Sequence, residues 1–494
     1  MQRQIVAVLL SILIADIAIA QQKNVVFIVV DDMKTVAGHL SEQPGSFLQT
    51  VYPDPAVRQQ VVSVLTPNMD ALAARGVSFS QCLCPSPLCN GSRTAVMTGL
   101  SPVITEFTSN NVNFRDSGRI ELREAVTLPE NLKDNGYYSL GIGKIYHHPD
   151  GPFTDAGRSW TDWIDAGIGT NGPVNFAEYY IPGSVFKFGA NEFPVAEHWD
   201  YRNSDLIAKL IEGETVTRND NDYTLPQGQP FFLACGIYRP HHPIYAPQEM
   251  VDLFDRTDMT GIDEAYLQLV TDDRDDLSAR GLGHAPQGHF GALVSRGGVE
   301  GWRDLIKHYL ACVAFADRCV GRIIEAVENS PHADDTIIVL WSDHGWALGE
   351  KRHLKKSAFW VESDSMLVIS DPDIPRSAGA ICRRPVSLMD IYPTIHSRCG
   401  VAAPPEVTGN DLTPLLRFPW FPGNLPGAPP IAVLNRDEFA MDTRRYRLIR
   451  YDEGDYELYS RHADPYYRNN LVGNPFYDKI LAELLIELDE QVGD

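Results

Sequence analysis

The stretch NVVFIVVDD, residues 24–32, runs six apolar residues straight into two carboxylates. An apolar run with no polar face reads as a strand buried on both sides, the kind that parallel sheets carry between layers of helices. The same grammar recurs three times. YYSLGI (137–142) leads into Gly143 and Lys144, PFFLACGIY (230–238) into Arg239, Pro240 and His241, and TIIVLW (336–341) into Ser342, Asp343, His344 and Gly345. Helix signals lie between these runs. TPNMDALAARG offers Thr66 as N-cap, Pro67 at the first helical position and Gly76 as a stop, and TLPENLKDNG (127–136) repeats the pattern. Leu305, Tyr309, Val313, Ala316, Val320, Ile323 and Val327 fall at helical spacing on one apolar stripe. Strands alternating with helices predict an α/β fold with a large, mostly parallel sheet flanked by helices.

Ligands of such sheets sit outside the carboxyl ends of the strands. Four strands here deliver chemistry at that end: Asp31 and Asp32, then Lys144 and His147, then His241, then Asp343 and His344. One such ending is an ordinary change from strand to loop; four suggest a built site. Three carboxylates favour a hard divalent cation such as calcium or magnesium; zinc would lean on His344, and the dominance of carboxylates favours calcium. Arg93 and Lys356 add positive charge. With the cation they suit a compact tetrahedral anion, since Arg grips such oxygens in pairs and Lys acts as a point charge.

The first twenty residues carry Arg3, an apolar run and an Ala18-x-Ala20 arrangement, and read as a cleaved signal peptide. Asp16 interrupts the run and leaves it short of the roughly 20 apolar residues a membrane span requires. Export to the periplasm or medium is the expectation, with no membrane partner after cleavage. The catalytic domain is expected over 21–416. The Pro/Gly-rich RFPWFPGNLPGAPP opens a C-terminal subdomain over 417–494, with a hairpin around Asp452–Asp455 and a capped terminal helix in NPFYDKILAELLIELDE. Residues 150–230 show weak periodicity and are expected as long loops over the site, where specificity tends to reside.

With 65 acidic against 42 basic side chains the surface is anionic on average, which excludes nucleic acid as a general partner. Eight cysteines in so long a chain form no disulfide framework. Cys312 and Cys319 fit a buried helix face, while Cys382 and Cys399 are compatible with a pair.

The segments DDM, CNGSRTAVMTG, GKIYHHP, FFLACGIYRPHHPIYAP and SDHGWALGEKRHLKK together resemble the type I sulfatases, and within them the iduronate-2-sulfatase-like branch. The resemblance runs in order from about residue 24 to the terminal RLIRYDEGDYELY. It implies an alkaline-phosphatase-like sandwich with a small C-terminal sheet and helix. It also implies that Cys89 is oxidised by a formylglycine-generating enzyme to an aldehyde, whose hydrate attacks sulfur and then expels sulfate. Asp31, Asp32, Asp343, His344 and position 89 would hold one calcium ion. Arg93 would steady the diol and the carboxylates, and Lys144 would lie beside them. His147 would act as base for sulfate release, and His241 and Lys356 would meet the sulfate and the ester oxygen. A helix opening near Ser92 would place its positive end beneath the anion.

One departure stands out. The family pattern is Cys-x-Pro-Ser-Arg, with Ala as the alternative at the third place, and here that place is Gly91. Slower or partial conversion of Cys89 is the expectation. The substrate expected is a sulfated sugar from a polysaccharide. The alternatives are a phosphodiesterase or phosphonate hydrolase of the same superfamily, or an unmatured glycan-binding homologue. Neither the particular sugar nor the oligomeric state is legible.

Overall fold

The computed structural model describes residues 22–147, 155–169, 172–179, 186–355, 358–420, 427–452 and 454–493. The expected signal peptide, Lys356 and residues 421–426 of the connection lie outside these.

Eight strands build the principal sheet: β1 Asn24–Val30, β2 Val77–Phe79, β3 Tyr138–Gly143, β4 Asp162–Ile164, β5 Phe231–Ile237, β6 Thr336–Ser342, β7 Leu367–Ser370 and β8 Ala380–Cys382. Their order is β8-β2-β7-β6-β1-β5-β3-β4. β1 lies parallel to β5 on one side and β6 on the other, and β3 continues parallel beyond β5. β7 runs antiparallel to both its neighbours, so the sheet is mixed. All seven residues of β1 are buried, as an apolar run between two layers requires.

Each face of the sheet has its own core. Val26, Ile28 and Val30 pack with the long helix, whereas Val25, Phe27 and Val29 point to the opposite layer. This is the period of two expected of a strand. The helix predicted around Leu305–Val327 spans Gly288–Glu328 and bends at Gly298, whose φ of 56° breaks the helical geometry. Thr127 closes a capping box with Glu130 at the start of the helix Leu128–Asp134. Thr66 does not cap the helix Pro67–Ala73 through its side chain, because its hydroxyl donates to Asp70 and accepts from the Gly38 amide.

Three expectations are corrected. The helix placed near Ser92 opens at Cys89 and runs to Thr98, ending on Gly99 at φ 70°. Within 150–230, long loops give way to short strands and a 13-residue helix, Trp199–Ile211, whose face carrying Ile207, Ala208, Leu210 and Ile211 is buried. The terminal helix begins at Asp478 and has no side-chain cap; the Asn474 carboxamide instead closes the turn before it by accepting from the Phe476 amide.

A four-stranded antiparallel meander, Ile431–Asn435, Glu438–Asp442, Tyr446–Asp452 and Asp455–Ser460, forms the C-terminal sheet. Its Ala432, Ala440, Ile449 and Tyr459 pack against Leu83, Phe359 and Trp360 of the preceding part of the chain. All eight cysteines are buried free thiols, Cys382 and Cys399 included. No helix among the described residues is long and apolar enough to cross a membrane.

Candidate active site

The four predicted strand endings belong to consecutive neighbours, β6-β1-β5-β3, all parallel, so their carboxyl ends share one edge within about 15 Å. Asp31 and Asp32 follow β1, Asp343 and His344 follow β6, His241 follows β5, and Lys144 follows β3. Asp32 turns the chain with a φ of 56°, a left-handed conformation that Asp tolerates better than most residues. Its amide donates to Asp343 Oδ1 at 3.0 Å, and its carbonyl accepts from the Tyr309 hydroxyl at 2.8 Å.

Arg93, wholly buried in the helix that begins at Cys89, ties the endings together. Its Nε donates to Asp343 Oδ2 at 2.9 Å and its Nη2 to Asp31 Oδ1 at 2.8 Å, while Nη1 donates to the Lys144 and Ile145 carbonyls. The guanidinium is spent on the protein and leaves no fork for a ligand. Lys144 Nζ pairs with Asp31 Oδ2, and Lys355 Nζ with Asp32 Oδ2. Burial acts against both ammonium groups, but Asp31 beside Lys144 and Asp32 beside Lys355 hold them above the ordinary lysine value.

Cys89, 2 % exposed, faces this cluster. Its Sγ lies 3.2 Å from His344 Nε2 and 3.8 Å from Asp32 Oδ1. Three groups have ligand atoms within 4.8 Å of one another: Asp31, Asp32 and Asp343; Cys89, Asp343 and His344; and Asp32, Cys89 and His241. These donors fit a divalent cation. His344 Nδ1 meets the Gly345 carbonyl at 2.8 Å, so Nδ1 carries a proton and Nε2 is the free ligand atom. Burial disfavours a charged imidazole there, yet the Asp343 carboxylate and the Cys89 sulfur push His344 up to about 10. Its Nε2 lies 3.2 Å from Asp32 Oδ1, on the same side as the carboxylates. Asp32 is raised first by burial and then by Asp31 and Asp343, the strain a cation would relieve.

His241 Nε2 stands 3.4 Å from Asp32 Oδ2, and its Nδ1–H donates to the His242 carbonyl. Burial, then Lys144 and Lys355, hold His241 well below its ordinary value, and burial followed by Lys144 brings His147 down to about 4. Both rings are therefore neutral near pH 7. The fold thus gathers Asp31, Asp32, Cys89, Arg93, Lys144, His241, Asp343 and His344, with His147 in the field of Lys144. Lys356 lies outside the described residues. Two participants were missed. Lys355 is the ammonium on Asp32, and His242 lies 3.4 Å from Lys355 through Nδ1 and stacks on His241. The doublets KK and HH were the only signals for them.

Comparison with known proteins identifies the family. The family described as Sulfatase matches residues 23–401. A curated sulfatase of Formosa agariphila is 32% identical over 450 residues, covering 90% of this chain and 81% of its own. Human iduronate 2-sulfatase is 24% identical over 81% of this chain and 76% of its own. A solved structure described as a complex with D-glucosamine-2-N,6-O-disulfate superposes with a TM-score of 0.65 at 21% identity, covering 96% of this chain and 98% of its own.

Proposed function

The chain belongs to the sulfatase family and is a sulfuric ester hydrolase; from that premise we propose that it is an exported enzyme removing sulfate from a sulfated carbohydrate, with calcium and a formylglycine made from Cys89. The observation that carries the reading is the position of Cys89 Sγ, 3.2 Å from His344 Nε2 at the rim of three buried carboxylates. A thiolate attacking sulfur would form a stable adduct with no exit, whereas a hydrated aldehyde supplies both an oxygen nucleophile and its own route of release.

Asp31, Asp32, Asp343 and His344 would hold the calcium ion, which supplies positive charge for the nucleophile and for the oxygens of the ester. Lys144 and Lys355 stay charged and fixed by their aspartates, a preorganised field for an anion that costs no rearrangement during reaction. Arg93 holds Asp31 and Asp343 in register. His241 presents Nε2 to the site because Nδ1–H is bound to the His242 carbonyl. A bound sulfate ester adds negative charge beside it, which favours a proton on Nε2 for delivery to the leaving oxygen. Neutral His147 is suited to accept the proton whose removal releases sulfate.

Carbohydrate is favoured by what the relatives are named for. An ulvan-active sulfatase of Formosa agariphila and an N-acetylglucosamine-6-O-sulfatase of Bacteroides thetaiotaomicron are 24% and 25% identical over most of this chain. The signal-like first twenty residues support export, which would bring the enzyme to polysaccharide outside the cell.

The test is the mass of the peptide containing residue 89 after co-expression with a formylglycine-generating enzyme. Aldehyde there, in step with turnover of a sulfate ester, is expected. Fully active protein with position 89 wholly thiol would overturn the mechanism.

A further inference from the structure

A stack of rings leads outward from His241, and beyond the orientation of His241 by the His242 carbonyl the reaction above makes no use of its outer members. His241, beside Asp32, stacks on His242 at 4.3 Å between centroids and 19° between planes. His242 stacks on Phe186 at 5.3 Å and 14°, and Phe186 meets His289 at 4.4 Å. Exposure is greatest at the outer end: the His241 side chain is 12% exposed, His242 and Phe186 are half-buried, and His289 is exposed. Three distant segments contribute, the lead into the strand Phe188–Asn191, the turn after β5 and the first turn of the long helix. Trp346, wholly buried, backs the stack 6.0 Å from His242 and 6.3 Å from Phe186. Support of this kind holds the rings in place while His289 stays exposed.

We propose that His242, Phe186 and His289 form the wall against which the sugar ring bearing the sulfate ester packs, a specificity element that rests on the carbohydrate reading above. A pyranose presents an apolar C–H face and a polar rim. Aromatic rings match the face, and a half-exposed ring regains on binding the burial it lacks in the free protein. The stack begins at His241, the group suited to protonate the leaving oxygen, so it lines the side on which the released alcohol lies. The cations Lys144 and Lys355 sit at its inner end, where the sulfate belongs.

An array of sulfated glycosaminoglycan, carrageenan and ulvan oligosaccharides tests this with full-length Cys89→Ala protein, which binds without turnover, in calcium. The same background carries Phe186→Ala, Phe186→Tyr or His289→Ala, and each protein is also titrated with inorganic sulfate by thermal shift. Phe186→Ala is expected to weaken the retained glycans about tenfold or more, and His289→Ala less. Phe186→Tyr restores binding, and the response to inorganic sulfate stays unchanged throughout. Equal glycan affinity in all variants overturns the wall, as does a loss of the sulfate response that parallels the loss of glycan. A parent protein that answers to sulfate but retains no glycan overturns the carbohydrate reading, and the wall with it.

Discussion

Arg93 Nε lies 2.9 Å from Asp343 Oδ2, and neither side chain is exposed at all. The same guanidinium bonds Asp31 at 2.8 Å, so one cation spans the endings of β1 and β6 and fixes two candidate metal ligands. Arg93→Ala takes the shared guanidinium from two buried carboxylates, leaving Asp31 to Lys144 and Asp343 to the Asp32 and His344 amides. A loss of about 3–5 kcal/mol in unfolding free energy is expected, with turnover abolished. Arg93→Lys keeps the charge but loses the fork that meets both acids, so it should recover part of the stability and little activity. Denaturant melts and sulfate-ester turnover of both variants check this; an Arg93→Ala protein as stable as wild type would refute it.

Asp343 and Asp32 should each decide metal binding. Asp343→Ala is expected to abolish both calcium binding and turnover, measured by calorimetry and by sulfate release. Because Asp343 also holds Arg93, Asp32→Asn serves as the cleaner variant, removing one charge with little change of shape. In wild type, chelation should lower the melting temperature and calcium should restore it, by about 2.7 kcal/mol at a hundred times the dissociation constant. Unchanged turnover in either variant removes the metal assignment.

His396 gives a pH dependence remote from the site. It is wholly buried on the helix Ile391–Cys399, stacked on Tyr392 at 4.5 Å, with Nδ1–H donating to the Tyr392 carbonyl. Burial brings it down to about 4, against the carbonyl bond, which favours the charged ring. The folded state thus binds the proton more weakly than the unfolded chain. The neutral ring costs nothing above about pH 6.5; stability is lost as pH falls toward 4, by about 3 kcal/mol in total. The stability difference between wild type and His396→Gln should be constant above about pH 6.5 and shift in the variant's favour between pH 6.5 and 4, because wild type loses more. Parallel curves would show that His396 is not the group concerned.

What the sequence made legible follows from how local each signal is. β1, β3, β5 and β6 announce themselves because an unbroken apolar run is a property of each segment alone. Their shared edge then follows from the parallel order, which brought Asp31, Lys144, His241 and Asp343 together as read. Lys355 was missed because Lys351 and Arg352 just before it take φ of 47° and 58°, so no helical or strand period reaches it to say where its side chain points. The start of the helix at Cys89 was missed because its N-cap is Leu88, which has no side-chain acceptor. The ring stack was invisible for a different reason: residues 186, 242 and 289 meet only through the tertiary fold.

Gly91, the departure from the family pattern, has a structural cause that the sequence could not show. A Cβ built on it would lie 2.9 Å from Ser86 Oγ, 3.0 Å from Ser86 Cβ and 3.2 Å from the Phe107 carbonyl oxygen. The turn before Cys89 therefore packs close on the first turn of the helix, and a side chain at Gly91 requires Ser86 and the Phe107 carbonyl to give by a few tenths of an ångström. Overpacking of this kind costs roughly 1–3 kcal/mol. Gly91→Ala, a step toward the family pattern, is thus expected to lower the melting temperature and the turnover per converted site. On the proposed maturation the fraction of aldehyde at residue 89 should not fall, because a maturation enzyme acting on the extended chain would meet Gly91 before Ser86 has packed. Ser86→Gly in the same chain should restore both losses by vacating the space. Mass spectrometry of the residue 89 peptide, melting curves and turnover across the two single variants and the double variant separate these effects. If Gly91→Ala melts like wild type and converts more completely, then glycine at this position is a weakness in maturation and the packing account is wrong.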